Sequence, residues 1–300
     1  MKNHPIDRRL FLKTGALTAG LSTVIPANLM ASVPKLNMSD SRIKLSLAAY
    51  SFNALFRKAE LTMDAFIDYC DDLKLDGTEL TSYYFESNED SYLLKLKNKC
   101  FHLGLDISGT AIGNNFVIPD KNKRKEEVNN VKSWIDKAVI LGAPSIRVFG
   151  GNEIPEGYTE DDAFEWVIPS LSECVDYAST KGIVLAIENH GGFPRTSAQV
   201  IRIIEEINSP WFGANLDTGN FYNDWYRQMA EVIPYTVVVQ LKVKISSTVD
   251  GAKPIATDPE RIVKMLKNEG YRRYLVLEYE EEDPWKDIPV WIDRLRECIG

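Results

Sequence analysis

The stretch VLAIENHGGF (184–193) begins as an apolar strand and ends in a carboxylate, an amide, an imidazole and two glycines. Val184, Leu185, Ala186 and Ile187 suit a buried strand. Side chains along a strand alternate between two faces. Ile183, Leu185 and Ile187 therefore share one face, and Val184, Ala186, Glu188 and His190 share the other. One face stays apolar throughout while the other turns polar at its end. The meaning of that pattern depends on whether other strands end the same way.

They do. Eight strand candidates recur at the spacing of a βα unit: IKLSLAAYSF (43–52), DGTEL (76–80), LDISGTAI (105–112), SIRVFG (145–150), IVLAIEN (183–189), FGANLDT (212–218), TVVVQLKV (236–243) and YLVLEYE (274–280). Amphipathic helical patterns lie between them. TMDAFIDYCDDL (62–73) puts Met63, Phe66, Ile67 and Cys70 on one face. VNNVKSWIDKAVILG (128–142) repeats Val128, Val131, Ile135 and Val139 and stops at Gly142. SAQVIRIIEEI (197–207) and DPERIVKMLKNEG (258–270) open with a capping Ser or Asp. Strand–helix alternation repeated eight times implies a parallel sheet with outer helices. At this length a single (β/α)8 TIM barrel is the expected α/β fold, ahead of an open doubly wound sheet.

The N-terminus is set apart. DRRLFLKTGALTAGLSTVIPANLMA (7–31) places Arg8 and Arg9 before Phe11-Leu12-Lys13, with Leu29-Met30-Ala31 as a cleavage site. This reads as a twin-arginine export signal over 1–31, followed by a linker over 32–42 and the barrel over 43–300, and it predicts a periplasmic protein. Gly15, Gly20, Pro26 and Asn28 make the segment a poor membrane span, so no stable insertion is expected after cleavage. The net charge of −8 opposes a nucleic-acid partner, which needs a basic face. Cys70, Cys100, Cys174 and Cys298 are isolated and read as small buried hydrophobes. Assembly into a homo-oligomer is compatible with the sequence.

Parity sorts the remaining strands. Val237, Val239 and Leu241 alternate with Val238, Gln240 and Lys242; Leu275 and Leu277 alternate with Val276, Glu278 and Glu280. Ala214 and Leu216 alternate with Asn215 and Asp217; Ile146 and Val148 alternate with Ser145, Arg147 and Phe149. The mixed parity becomes polar toward the C-terminal strand ends, where barrel enzymes carry their sites. Glu188, Asp217, Gln240 and Glu278 thus fall at comparable late positions on strands five to eight. Three carboxylates facing one cavity repel unless protons or a cation neutralise them. A divalent ion is the simplest neutraliser, and an all-oxygen set favours Mn²⁺ or Mg²⁺ over Zn²⁺.

These segments together resemble the xylose isomerase-like TIM barrel superfamily, in particular its sugar isomerase/epimerase branch. The resemblance rests on DGTEL, IRVFGG (146–151), LAIENH (185–190), ANLDTGN (214–220), VVVQLKV (237–243) and EGYRRYLVLEYE (269–280). It implies one divalent cation held by Glu188, Asp217, Gln240 and Glu278. The strand-seven ligand in that family is commonly His, so Gln240 is a departure. The Asp-x-x-His pattern common after strand six is here DTGN, which puts Asn220 at the His position. The resemblance further implies Glu188 and Glu278 as the base and acid on either side of a sugar, with proton removal α to a carbonyl and an enediolate intermediate. His190, Arg147, Lys242, Glu79 and Asn220 are expected substrate contacts. Tyr50, Phe52, Phe149, Phe221 and Trp225 are candidates for an apolar wall against the sugar.

Other classes stay in view. A lyase or hydrolase acting on keto-sugars, such as 3-keto-glycosides, would use the same metal and base. A non-enzymatic sugar-binding barrel would need only the cavity. The apurinic endonucleases of the superfamily use a histidine-rich trinuclear zinc site, which three histidines, one of them His4 in the signal, cannot build.

Overall fold

The computed structural model describes residues 42–245 and 254–300. The expected signal (1–31) and all but the last residue of the linker (32–42) lie outside them. The strands in chain order are β1 (Lys44–Ala48), β2 (Gly77–Thr81), β3 (Asp106–Ala111), β4 (Ser145–Val148), β5 (Val184–Glu188), β6 (Phe212–Asp217), β7 (Thr236–Lys242), β8 (Lys244–Ile245), β9 (Ile255–Ala256) and β10 (Tyr274–Glu278). Strands β1 to β7 and β10 close into a parallel barrel in which β10 pairs with both β7 and β1. Strands β8 and β9 form a small antiparallel pair beside it. The fold is the single TIM barrel expected from the strand–helix alternation.

Helix boundaries follow local chemistry. The Thr62 hydroxyl accepts from Ala65 N at 3.2 Å and starts Met63–Asp72. Reciprocal capping boxes, Thr159 with Asp162 and Thr196 with Gln199, start Glu160–Lys181 and Ser197–Ile207. The helix expected from Val128 begins earlier, at Lys121, under an Asp120 cap. Its first two turns are charged and carry no apolar period, so periodicity could not reveal them. Gly142, at φ 83°, ends that helix in the left-handed region. The first strand is shorter than expected. After Ala48 the chain winds into a 3-10 turn, Ala49–Phe52, and a short helix, Asn53–Arg57. The turn brings Phe52 down onto Phe66, Tyr69 and Trp285, with ring centroids 6.0, 5.5 and 4.6 Å away.

The two strand parities do different work. Leu47, Leu185, Ile187, Leu216, Val239, Leu241, Leu275 and Leu277 are buried against the helical layer. Inside the barrel Ala48, Ala186, Val238 and Val276 pack into a small apolar plug. Polar side chains sit above it at the C-terminal mouth. Cys70, Cys100 and Cys174 are buried, Cys298 is partly buried, and all four are free. No helix among the described residues is long and apolar enough to cross a membrane.

The second glycine of the opening stretch, Gly192, has a steric cause. Gly151, after β4, pairs with Phe193, after β5, through hydrogen bonds of 2.8 and 3.0 Å in both directions. This strap draws the two loops so close that a Cβ on Gly192 would lie 2.2 Å from Gly151 O and 2.5 Å from Asn152 C. Both obstacles are backbone. Gly192→Ala should therefore cost about 1–3 kcal/mol, the scale of overpacking, in a urea unfolding titration. A variant as stable as the parent would mean that the two loops yield freely.

Candidate active site

Strand parity turns Glu79, Arg147, Glu188, Asn215, Asp217, Gln240, Lys242 and Glu278 toward the barrel axis. All but the partly buried Lys242 are buried, Asp217 and Asn215 completely. The pairing register sets their heights. Glu188 lies level with Asn215, Asp217 with Gln240, and Lys242 with Glu278. Gln240 therefore stands one step below Glu278, level with Val276. Its amide is used there: Nε2 donates to Glu79 Oε1 at 3.1 Å, and Oε1 accepts from Asn215 Nδ2 at 2.5 Å.

Above this layer the carboxylates meet two cations. Arg147 Nε lies 3.0 Å from Glu188 Oε2. The guanidinium also donates to Ile112 O at 2.8 Å and to the Tyr83 hydroxyl at 3.2 Å, and it lies 4.0 Å from the centre of the Phe149 ring. The other Glu188 oxygen accepts from Asn220 Nδ2 at 3.1 Å. Lys242 Nζ stands 2.6 Å from Glu280 Oε2, 3.5 Å from Asp217 Oδ2 and 3.7 Å from Glu278 Oε1. Asp217 Oδ1 accepts from Gly219 N at 2.7 Å, while Oδ2 is buried without a hydrogen bond. The Asn189 side chain exchanges two bonds of 2.9 Å with the Asp217 backbone and pins the end of β5 to the end of β6.

The remaining expected contacts divide. His190 lies past the end of β5 at the exposed rim, its ring 4.5 Å from Phe149. Phe52 and Phe221 are core packing. Tyr50 and Phe149 are half-buried at the mouth, and Trp225 is half-buried in its helix, Trp225–Val232. A cavity of about 460 Å³ opens between the β1 and β10 loops, lined by Tyr50, Phe52, Lys58, Tyr279, Glu280 and Trp285. Sequence reasoning gave no role to Glu280, Asn215 or Asn189. The first two already stood on the mixed parity beside Glu278 and Asp217, so the signal was present. The backbone bonds of Asn189 depend on how closely β5 and β6 approach, which parity does not encode.

Burial dominates the electrostatics. It pushes Glu188 up to about 7 against the pull of Arg147, and Asp217 up to about 7 against Lys242. Burial likewise takes Glu278 to about 8 against Lys242, and raises Glu79 despite Arg147 and the Gln240 amide. His190, partly desolvated and facing Arg147 and Lys242, is pushed down to about 4.

Residues 67–297 match the family described as xylose isomerase-like TIM barrel. No curated protein matches the sequence. Several solved structures share the fold. D-psicose 3-epimerase from Clostridium cellulolyticum H10, solved with D-tagatose, is 16% identical with a TM-score of 0.69, over 86% of this chain and 100% of that one. The E. coli 3-keto-D-glucoside 4-epimerase is 16% identical with a TM-score of 0.65, over 86% of this chain and 100% of that one. IolI, solved with a bound zinc atom, is 15% identical with a TM-score of 0.68, over 85% of this chain and 96% of that one.

The arrangement does not fit the divalent ion that the sequence led us to expect. Among the described residues no three carboxylate, imidazole or thiolate groups converge as a ligand set. The Gln240 carbonyl oxygen is turned to Asn215, one step below Glu278. The Lys242 ammonium stands between Asp217 and Glu278, and Arg147 is paired with Glu188. A dication placed among these groups would meet two fixed positive charges.

The raised carboxyls have a thermodynamic consequence. Unfolding returns them to about 4, so from there to about 8 the folded state holds more protons than the unfolded one, and stability falls as pH rises. His190 acts in the opposite sense up to about 6.5, the unfolded histidine value. The net fall is therefore clearest above that value. Urea midpoints measured in chelator should decline between about pH 6.5 and pH 8.5. A flat or rising profile would overturn the burial assigned to the three carboxyls.

Proposed function

The chain belongs to the xylose isomerase-like TIM barrel family, and from that premise we propose that it is a sugar isomerase or epimerase working by proton removal α to a carbonyl. The observation that carries this reading is the pair Glu188 and Glu278. Both are buried carboxyls with proton affinities raised to near neutrality, and they stand on β5 and β10 with β6 and β7 between them. A general acid or base is most effective when its pKa lies near the working pH. The sugar epimerases among the structural relatives support the same class.

In this reading Glu188 takes the proton from the carbon next to the carbonyl. The C–H electron pair forms the C=C bond, and the carbonyl π pair moves onto oxygen to give an enediolate. Arg147 and Lys242 surround the developing charge, which a buried site stabilises more strongly than water would. Glu278, the more protonated of the two near neutrality, returns a proton. Arg147 and Asn220 hold the Glu188 carboxylate in place through its two oxygens. His190 and Phe149 form the rim that a sugar ring would meet. The Mn²⁺ or Mg²⁺ expected from sequence has no part in these steps.

A second reading has one observation in its favour. The cavity beside Glu280 is lined by neither Glu188 nor Glu278, so it is space near the site that a group attached to the reacting sugar would use. With a keto-glycoside as substrate, the same enolate would expel the attached alkoxide.

Either Glu188→Gln or Glu278→Gln should lower kcat by about 10²–10⁴-fold. In D₂O the parent should place deuterium at the abstracted carbon of a ketose, whereas elimination would release the attached group and leave an unsaturated sugar. Near-parental turnover in both variants would make the carboxylates structural and bring the binding-protein reading forward. We also propose export by the twin-arginine route, on the Arg8-Arg9 motif. Replacing both with Lys should trap an unprocessed precursor in the cytoplasm, and unchanged export would remove that assignment.

A further inference from the structure

We propose that Lys242 is the electrophile of this site and that the centre works without a divalent ion, with the Lys242 and Arg147 side chains carrying the positive charge such an ion would bring. The proposal rests on the proton-abstraction reading above and identifies the group that holds the enediolate oxygen.

Charge balance comes first. Glu188, Asp217 and Glu278 are the three carboxylates that a metal would have to neutralise. Each already faces a cation: Glu188 faces Arg147 at 3.0 Å, and Asp217 and Glu278 face the one ammonium at 3.5 and 3.7 Å. Together the two side chains carry the same +2 as one Mn²⁺ or Mg²⁺. They are attached to the barrel, so they cannot dissociate.

The lysine is also built into place. Its backbone N–H donates to Thr218 Oγ1 at 3.0 Å. A Cβ at Gly219 would lie 2.7 Å from Lys242 Cδ and 3.0 Å from its Cβ, so the glycine of DTGN leaves the channel through which the lysine stem folds back toward Asp217. Gln240, at the usual position of the strand-seven ligand, is turned down to Asn215 and Glu79 instead. These departures point the same way: the ligand position has been withdrawn, and the next inward residue on β7 reaches into the gap.

The ammonium still has capacity to act. Only the 2.6 Å contact with Glu280 is a hydrogen bond; 3.5 and 3.7 Å are ion-pair distances too long for one. Two of its three N–H donors are therefore available to substrate oxygens. The buried Asp217 Oδ2, which lacks a hydrogen-bond partner, faces the same space and would accept from a substrate hydroxyl. A carbonyl and its neighbouring hydroxyl would be gripped by this donor and acceptor while Glu188 takes the proton. Three neighbouring carboxylates keep the amine protonated, which fits hydrogen-bond donation and opposes a Schiff base.

The test is Mn²⁺ binding followed by loss of the free-ion electron paramagnetic resonance signal, on the parent and on Lys242→Met. The parent should show no saturable binding. Lys242→Met, with the ammonium gone and the carboxylates bare, should bind about one Mn²⁺ at least about 100-fold more tightly than the parent, the scale of removing one partner of a buried charge pair. Saturable binding of one Mn²⁺ by the parent overturns the proposal, and so does a Lys242→Met protein that binds no better. If Lys242→Met does not fold, the parent titration alone decides, together with deuterium exchange into a ketose in chelator. Exchange that chelator abolishes and Mn²⁺ restores overturns the proposal. Binding does not depend on the substrate, so a parent that exchanges no proton from any sugar would sink the functional reading and the electrophile role with it, while the titration would still decide whether the centre holds a divalent ion.

Discussion

Everything at the mouth of this barrel follows from one constraint: carboxylates buried on the axis must be balanced. A closed parallel barrel sends every second side chain inward, and three of its late inward positions are acids. Burial there disfavours their charged forms, and mutual repulsion adds to it. The structure responds with two cations on fixed stems, a column of amides, and protons for the remainder. Arg147 is locked by a backbone carbonyl, a phenol and the Phe149 ring, so its charge is aimed at Glu188. Lys242 serves three acids at once. The proton affinities near neutrality arise because this compensation is incomplete.

The amide column has its own logic. Asn215, Gln240 and Glu79 form a chain from β6 through β7 to β2. It runs beside the apolar plug of Ala48, Ala186, Val238 and Val276, with Gln240 level with Val276, Asn215 with Val238 and Glu79 with Ala48.

Much of this was legible in the sequence. Parity along each strand assigned Glu188, Asp217, Gln240, Lys242 and Glu278 to the interior, and the structure puts them there. Height was not legible. Parity says which face a residue takes, whereas the level of Gln240 against Glu278 depends on the stagger between β7 and β10, which no single strand carries. The four-oxygen set rested on comparable late positions and on the family resemblance, neither of which carries the one-step offset of Gln240 below Glu278. The long start of the Lys121–Leu141 helix was hidden for a related reason: its charged first turns rely on the Asp120 cap and leave no apolar record.

Asn189 carries a consequence of a different kind. Its side-chain amide takes the place of one more rung in the ladder between β5 and β6, giving and accepting a bond with the Asp217 backbone. The spacing between Glu188 and Asp217 is therefore held by neutral groups and not by the charges themselves. A barrel built this way can exchange its ionic residues while its frame stays still. Such a scaffold is open to new chemistry: the acids and cations at its mouth are passengers on a lattice that amides keep in register.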